Sequence, residues 1–136
     1  MSKKLLAALR LAFTGALVFT LYAAFAPGPD APQILPWDKA AHFAAFFTLS
    51  ILAALSFPRA PLIAIGVALS VLGAAIEFIQ AVPAIGRDGD VVDWLVDTAA
   101  IGFALWPGLL QGARARLRQP ETDLPTALHQ QFGDSE

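Results

Sequence analysis

The sequence predicts an all-α protein: an integral membrane bundle of four transmembrane helices with both termini cytoplasmic. Three observations predict it. The chain of 136 residues is 57% hydrophobic and 15% charged, whereas a soluble domain carries about 25% charged residues. Its apolar residues gather in four long runs separated by segments rich in Pro, Gly and Asp. Its basic residues fall mostly on one side of those runs. A soluble helical protein would instead show a polar stripe along each helix.

The first run is Leu11–Phe25. It reaches the roughly 17–25 residues needed to span a bilayer if it begins near Leu5 and accepts Arg10, whose side chain can snorkel to the interface. Lys3, Lys4 and the "AFA" before Pro27 also resemble a secretory signal. Pro27 directly after the cut is a poor cleavage context and Arg10 interrupts the apolar region, so a retained span is expected. The runs Ala40–Phe57, Leu62–Ala81 and Val91–Leu110 fit a span directly. The breaks "APGPDAPQILP", "FPRAP" and "VPAIGRDGD" are strong helix terminators. Residues 1–110 are therefore read as one transmembrane domain, and 111–136 as a polar cytoplasmic tail.

Orientation follows from Lys and Arg. Of nine such residues, Lys3, Lys4, Arg10, Arg59, Arg114, Arg116 and Arg118 lie on one side, and only Lys39 and Arg87 on the other. The basic side faces the cytoplasm, which places the chain as a multi-pass protein of the cytoplasmic (inner) membrane with the lipid bilayer as its first partner. Trp37 and Trp94 fall near the outer interface and Trp106 near the inner one. The cluster Arg114–Arg118 reads as an inside flank and not as a nucleic-acid patch. There is no Walker loop or dinucleotide glycine pattern. Ser50, Ser56 and Ser70 have no His at their depth, which argues against a serine hydrolase. The absence of cysteine excludes disulfides and thiolate metal sites.

The remaining polar residues converge. Asp38, Lys39 and His42 enter the second span from outside, Glu77 and Gln80 close the third, and Asp93 and Asp97 enter the fourth. Arg87, Asp88 and Asp90 fill the loop between, and Asp90 is placed to cap the fourth helix. Asp38 and His42 are four apart and share a face. The face below Gln80 and Glu77 runs through Gly73, Ser70 and Gly66; that of Asp93 and Asp97 runs through Ala100 and Ala104. Small residues mark the close-packed side of a membrane helix, so the carboxylates are expected to point into the bundle. A charge at the bilayer centre costs roughly 2.5–3.5 kcal/mol on insertion scales. Glu77 and Asp97, a turn or more inside their spans, therefore need a partner, a proton, a metal or a water-filled pocket.

"DKAAHF", "EFIQ" and "GRDGDVVDWLVDTAAIG", in that order over about residues 36–105, resemble the VanZ-like membrane proteins. That pattern falls on Asp38, Lys39, His42, Phe43, Glu77, Gln80, Arg87, Asp93 and Asp97. Two positions depart from it: the family's Asn is Asp97 here, and its usual Gly three residues later is Ala100. The resemblance implies a cell-envelope role and a polar site at the outer leaflet, and the namesake is associated with resistance to teicoplanin. It supplies no reaction.

Three functions fit the residues. In the first, an outward-facing pocket binds or processes a phosphate-bearing or lipid-linked envelope molecule, and the resemblance implies a link to glycopeptide tolerance. Lys39, Arg87 and Gln80 would bind it, His42, Glu77 and Asp93 would be the catalytic candidates, and Asp38 and Asp97 would support them, Asp38 by orienting His42. A variant adds Mg²⁺, Mn²⁺ or Zn²⁺ on His42, Glu77, Asp93 and Asp97, although no His-Glu-x-x-His signature is present. In the second, the charges form an interhelical clamp, for instance Asp38–Lys39–Arg87–Asp93, in a scaffold that binds lipids or protein partners. The third is proton-coupled transport, against which stand the crowding of the carboxylates in one leaflet and the lack of an internal repeat.

Overall fold

The computed structural model describes residues 1–26, 37–83 and 88–117. Arg87, Arg118 and the tail beyond lie outside them, as does most of the first loop. The described residues form four α-helices: α1 (Lys3–Phe25), α2 (Asp38–Ser56), α3 (Leu62–Gln80) and α4 (Val91–Leu117). Each coincides with one apolar run. The chain is thus all-helical, and α1, α2 and α3 are long and apolar enough to cross a membrane. The fourth helix is broken in its apolarity by Asp93 and Asp97 at one end and by Gln111, Arg114 and Arg116 at the other. It continues to Leu117, so residues 111–117, read as the start of a polar tail, are helical.

Local chemistry sets the helix ends. Ser2 Oγ caps α1 by accepting the Leu5 N–H at 3.2 Å. The segment "FPRAP" makes a tight turn, with the Ala60 N–H on the Phe57 carbonyl at 2.9 Å. Pro61 is the N-cap residue of α3. So short a connection makes α2 and α3 antiparallel neighbours. Asp90 caps α4, as expected, by accepting the Val92 N–H at 2.8 Å.

Helix α4 packs against both α2 and α3, and α1 packs chiefly on α2. The core lies among α2, α3 and α4: Phe46, Leu49, Ala53, Ile65, Leu69, Ile76, Ala100, Ile101 and Leu105. Gly73 and Gly66 sit where α3 meets α4, Gly66 against Ile101 and Leu105, as the small-residue stripe predicts. Helix α1 contains no buried residue. It leans on the others through Phe13, Ala16, Leu17, Leu21 and Ala24, which recur at helical spacing.

Arg10 does more than reach for an interface. Its Nε donates to the Ser56 carbonyl at 3.3 Å, and its guanidinium lies over the Phe57 ring, 5.7 Å from the centroid. A cation there complements the negative end of α2. Trp94, expected as an interface aromatic, turns its indole N–H to Ser70, at 3.1 Å from the carbonyl and 3.2 Å from the hydroxyl. Trp37 and Trp106 are exposed.

Candidate functional site

The antiparallel order of α2, α3 and α4 brings together the N-terminal turns of α2 and α4 and the C-terminal turn of α3. Among the described residues six ionisable side chains meet there: Lys39, His42, Glu77, Asp90, Asp93 and Asp97.

The outer part is an ion-pair fork. Lys39 Nζ donates to Asp90 Oδ2 at 2.8 Å and to Asp93 Oδ1 at 2.7 Å. Asp93 is buried at 5% exposure, so the ammonium provides its compensating charge. Asp90 is more open, and the Lys39 ammonium beside it, helped by the Val92 N–H, holds its carboxyl below the usual carboxylate range.

The inner part lies one turn deeper. His42 Nδ1 is 3.1 Å from Asp97 Oδ1 and 3.8 Å from Glu77 Oε1. Glu77 is 7% exposed and Asp97 fully buried. Glu77 Oε2 accepts the Asp90 N–H at 2.8 Å, which fixes the carboxylate and couples inner and outer parts. Glu77 Oε1 and Asp97 Oδ2 are both buried with no hydrogen-bond partner among the described residues.

Glycines make the room. A Cβ on Gly73 would come within 2.9 Å of Asp97 Oδ2 and 3.4 Å of Phe46 Cζ. A Cβ on Gly89 would collide with the Glu77 carbonyl and press on Ala81. The Asp90 N–H reaches Glu77 only because residue 89 passes this closely.

Of the predicted site residues, Lys39, His42, Glu77, Asp93 and Asp97 are in mutual contact, directly or through a shared partner. Two expectations change. The hydrogen-bond partner of His42 is Asp97; Asp38 is exposed at the start of α2 and takes no part in the Lys39 fork. Gln80 is buried, and its Nε2 donates to the Ala24 carbonyl of α1 at 2.8 Å, so among the described residues its amide pins α1. Of the expected Asp38–Lys39–Arg87–Asp93 network, Arg87 falls outside the described residues, and among those residues the clamp runs Asp90–Lys39–Asp93.

Sequence reasoning missed three contacts: the Asp90 carboxylate as a partner of Lys39, the close passage of Gly89 that permits the approach of Asp90 to Glu77, and the fit of Asp97 against Gly73. The available signals were "DGD" before the helix and a glycine one turn from Glu77.

Among the described residues, two groups of three side chains each bring one donor atom within 4.8 Å of the others: Asp38, His42 and Asp93, and His42, Glu77 and Asp97. In the first, Asp93 is engaged by Lys39. In the second, a carboxylate oxygen on Glu77 is unengaged. That group can share a proton between imidazole and carboxylate or hold a cation. Comparison with protein-family models, with curated proteins and with solved structures gives no match for this chain.

Proposed function

We propose that this chain is a VanZ-like cell-envelope protein of the cytoplasmic membrane, spanning it four times with both termini inside, and that the cluster of α2, α3 and α4 binds a phosphate-bearing or lipid-linked envelope molecule at the outer leaflet. The observation that carries the reading is the approach of His42 to both Glu77 and Asp97, delivered by three separate helices to one end of the bundle. Ionisable groups inside membrane helices mark sites and pathways by default.

Further support comes from the chain itself. Helix α4 has 27 residues, about 40 Å at 1.5 Å per residue, which exceeds a hydrocarbon core of about 30 Å. The bias of Lys and Arg supports an outward-facing cluster. The order of "DKAAHF", "EFIQ" and "GRDGD" supports the family. In this reading Glu77 and His42 are the acid–base pair, and Asp97 orients His42. Lys39 meets the phosphate by exchanging Asp90, its more exposed partner, while Asp93 keeps it in place.

The test is thermal unfolding of the purified chain in detergent, titrated with pyrophosphate and with a polyprenyl phosphate. A ligand bound only by the folded protein, at a hundredfold excess over its Kd, stabilises it by about 2.7 kcal/mol. The shift is expected in wild type and lost in Lys39→Met. No shift with either compound would remove the reading.

A second reading has its own observation. Lys39 is already shared between two carboxylates, as in a clamp that only fixes helix register. An unchanged envelope phenotype in Glu77→Gln and His42→Gln cells, with loss in Lys39→Met, would favour it.

A further inference from the structure

We infer that His42, Glu77 and Asp97 form a binding site for one divalent transition-metal ion, Zn²⁺ or Mn²⁺, at the inner end of the cluster. The inference deepens the reading above by placing an ion where that reading has His42 and Glu77 exchange a proton, since the same atoms cannot do both, and it rests on that reading only for what meets the ion's open position.

Geometry comes first. Metal–N and metal–O bonds of about 2.0–2.2 Å set neighbouring donors about 3 Å apart at right angles and about 3.5 Å apart at the tetrahedral angle. His42 Nδ1 lies 3.1 Å from Asp97 Oδ1 and 3.8 Å from Glu77 Oε1. Shifts of a few tenths of an ångström in the side chains bring both pairs into a coordination sphere. All three donor atoms fall within 4.8 Å of one another.

Charge comes second. Glu77 and Asp97 are both more than nine-tenths buried. The only ammonium in the described cluster is committed to Asp90 and Asp93. One imidazolium balances one of the two inner carboxylates; a dication balances both. Buried carboxylates are found paired or on metals.

Satisfaction comes third. Glu77 Oε1, the atom facing His42, has no partner among the described residues. Its sister Oε2 is held by the Asp90 N–H, an outer contact of the kind that orients metal-binding carboxylates. One imidazole with two carboxylates suits Zn²⁺ or Mn²⁺, whereas Ca²⁺ and Mg²⁺ prefer oxygen alone. Three protein donors leave at least one position open, where a water or a phosphate oxygen can bind. The competing group of Asp38, His42 and Asp93 is weaker, because Asp38 is exposed and Asp93 Oδ1 is taken by Lys39.

The test uses the full chain in detergent, stripped with EDTA and re-equilibrated with Zn²⁺ or Mn²⁺. Metal content by mass spectrometry is expected at one ion per chain. In protein labelled with ¹⁵N-histidine, the His42 imidazole resonance is expected to shift with one equivalent of Zn²⁺, a readout that needs no variant. Glu77→Gln and Asp97→Asn, which keep side-chain size, should each weaken binding by more than roughly tenfold, since even supporting residues of metal sites cost that much. A wild-type protein without stoichiometric metal or imidazole shift overturns the inference. So does a folded Glu77→Gln that keeps its metal while Asp38→Asn loses it. Adding polyprenyl phosphate separates the two readings. Metal bound with no phosphate effect ends the phosphate reading alone; phosphate bound equally by metal-free protein that takes up no metal ends the metal site alone.

Discussion

His42 and Asp97 stand 55 residues apart in sequence and 3.1 Å apart in space, imidazole Nδ1 to carboxylate Oδ1. The contact joins α2 to α4 inside the bundle, where water is scarce and a missing partner is costly.

Removing that partner should be felt. Asp97→Leu strands the His42 ring, and a buried polar group left without its partner costs about 1–3 kcal/mol. Asp97→Asn keeps a hydrogen-bonding oxygen and removes a buried charge, so in metal-free detergent it should be at least as stable as wild type. Chemical unfolding followed by tryptophan fluorescence compares the three proteins. Equal stability of the Leu and Asn variants would mean the contact carries little.

Gly73 and Gly102 should respond oppositely to the same change. A Cβ at residue 73 meets Asp97 and Phe46, whereas a Cβ at residue 102 meets nothing within 4 Å. Gly73→Ala overpacks the α3–α4 contact and should cost about 1–3 kcal/mol. Gly102→Ala should be neutral or gain up to about 1 kcal/mol from helix propensity. The same unfolding assay decides, and a tolerated Gly73→Ala would show that Asp97 has room to move.

Helix α1 has no buried residue, and two polar contacts hold it: Arg10 on the Ser56 carbonyl and Gln80 on the Ala24 carbonyl. Each such bond contributes about 0.5–1.5 kcal/mol. The double variant Arg10→Leu, Gln80→Met should raise amide exchange along α1 and leave α2–α4 protected. Exchange rising evenly over all four helices would show that α1 does not open separately.

Acid should loosen the outer fork. Lys39 holds the Asp90 carboxyl below its usual range, so the pair stabilises the fold above the ordinary Asp pKa of about 3.9. That contribution is lost as pH falls through the lower folded-state value. Asn caps a helix as well as Asp, so Asp90→Asn retains the cap and removes only the ion pair. Its melting temperature should fall less between pH 5 and 3, a range of roughly the unfolded-state titration, than that of wild type. Parallel curves would exclude Asp90 as a contributor.

Much of this was legible in the sequence. The four helices follow from run length and from Pro- and Gly-rich breaks, because a helix in an apolar medium needs little besides length and apolarity. The inward direction of Glu77, Asp93 and Asp97 follows from the small residues on their faces, since close helix contact requires small side chains. What could not be read was which long-range partner wins. Spacing puts Asp38 on the face of His42, but at the first turn of α2 Asp38 remains in the open, and the crossing of α4 supplies Asp97 instead. Spacing also puts Gln80 beside Glu77, yet one more turn toward the helix end carries its amide to α1. The reach of α4 to Leu117 was hidden because polar residues end an apolar run without ending a helix.

The fork on Lys39 has a consequence for how the chain is made. Its partners Asp90 and Asp93 follow it by 51 and 54 residues, and Asp97 follows His42 by 55. At about 5–20 residues per second of synthesis, the second helix waits roughly 3–11 s with its ionisable end unmatched. It is then completed only when the fourth helix emerges. A ribosome stalled before residue 90 would leave an assembly whose charged groups still face water or lipid, so the polar cluster acts as a latch that closes late, when the fourth helix joins the other three.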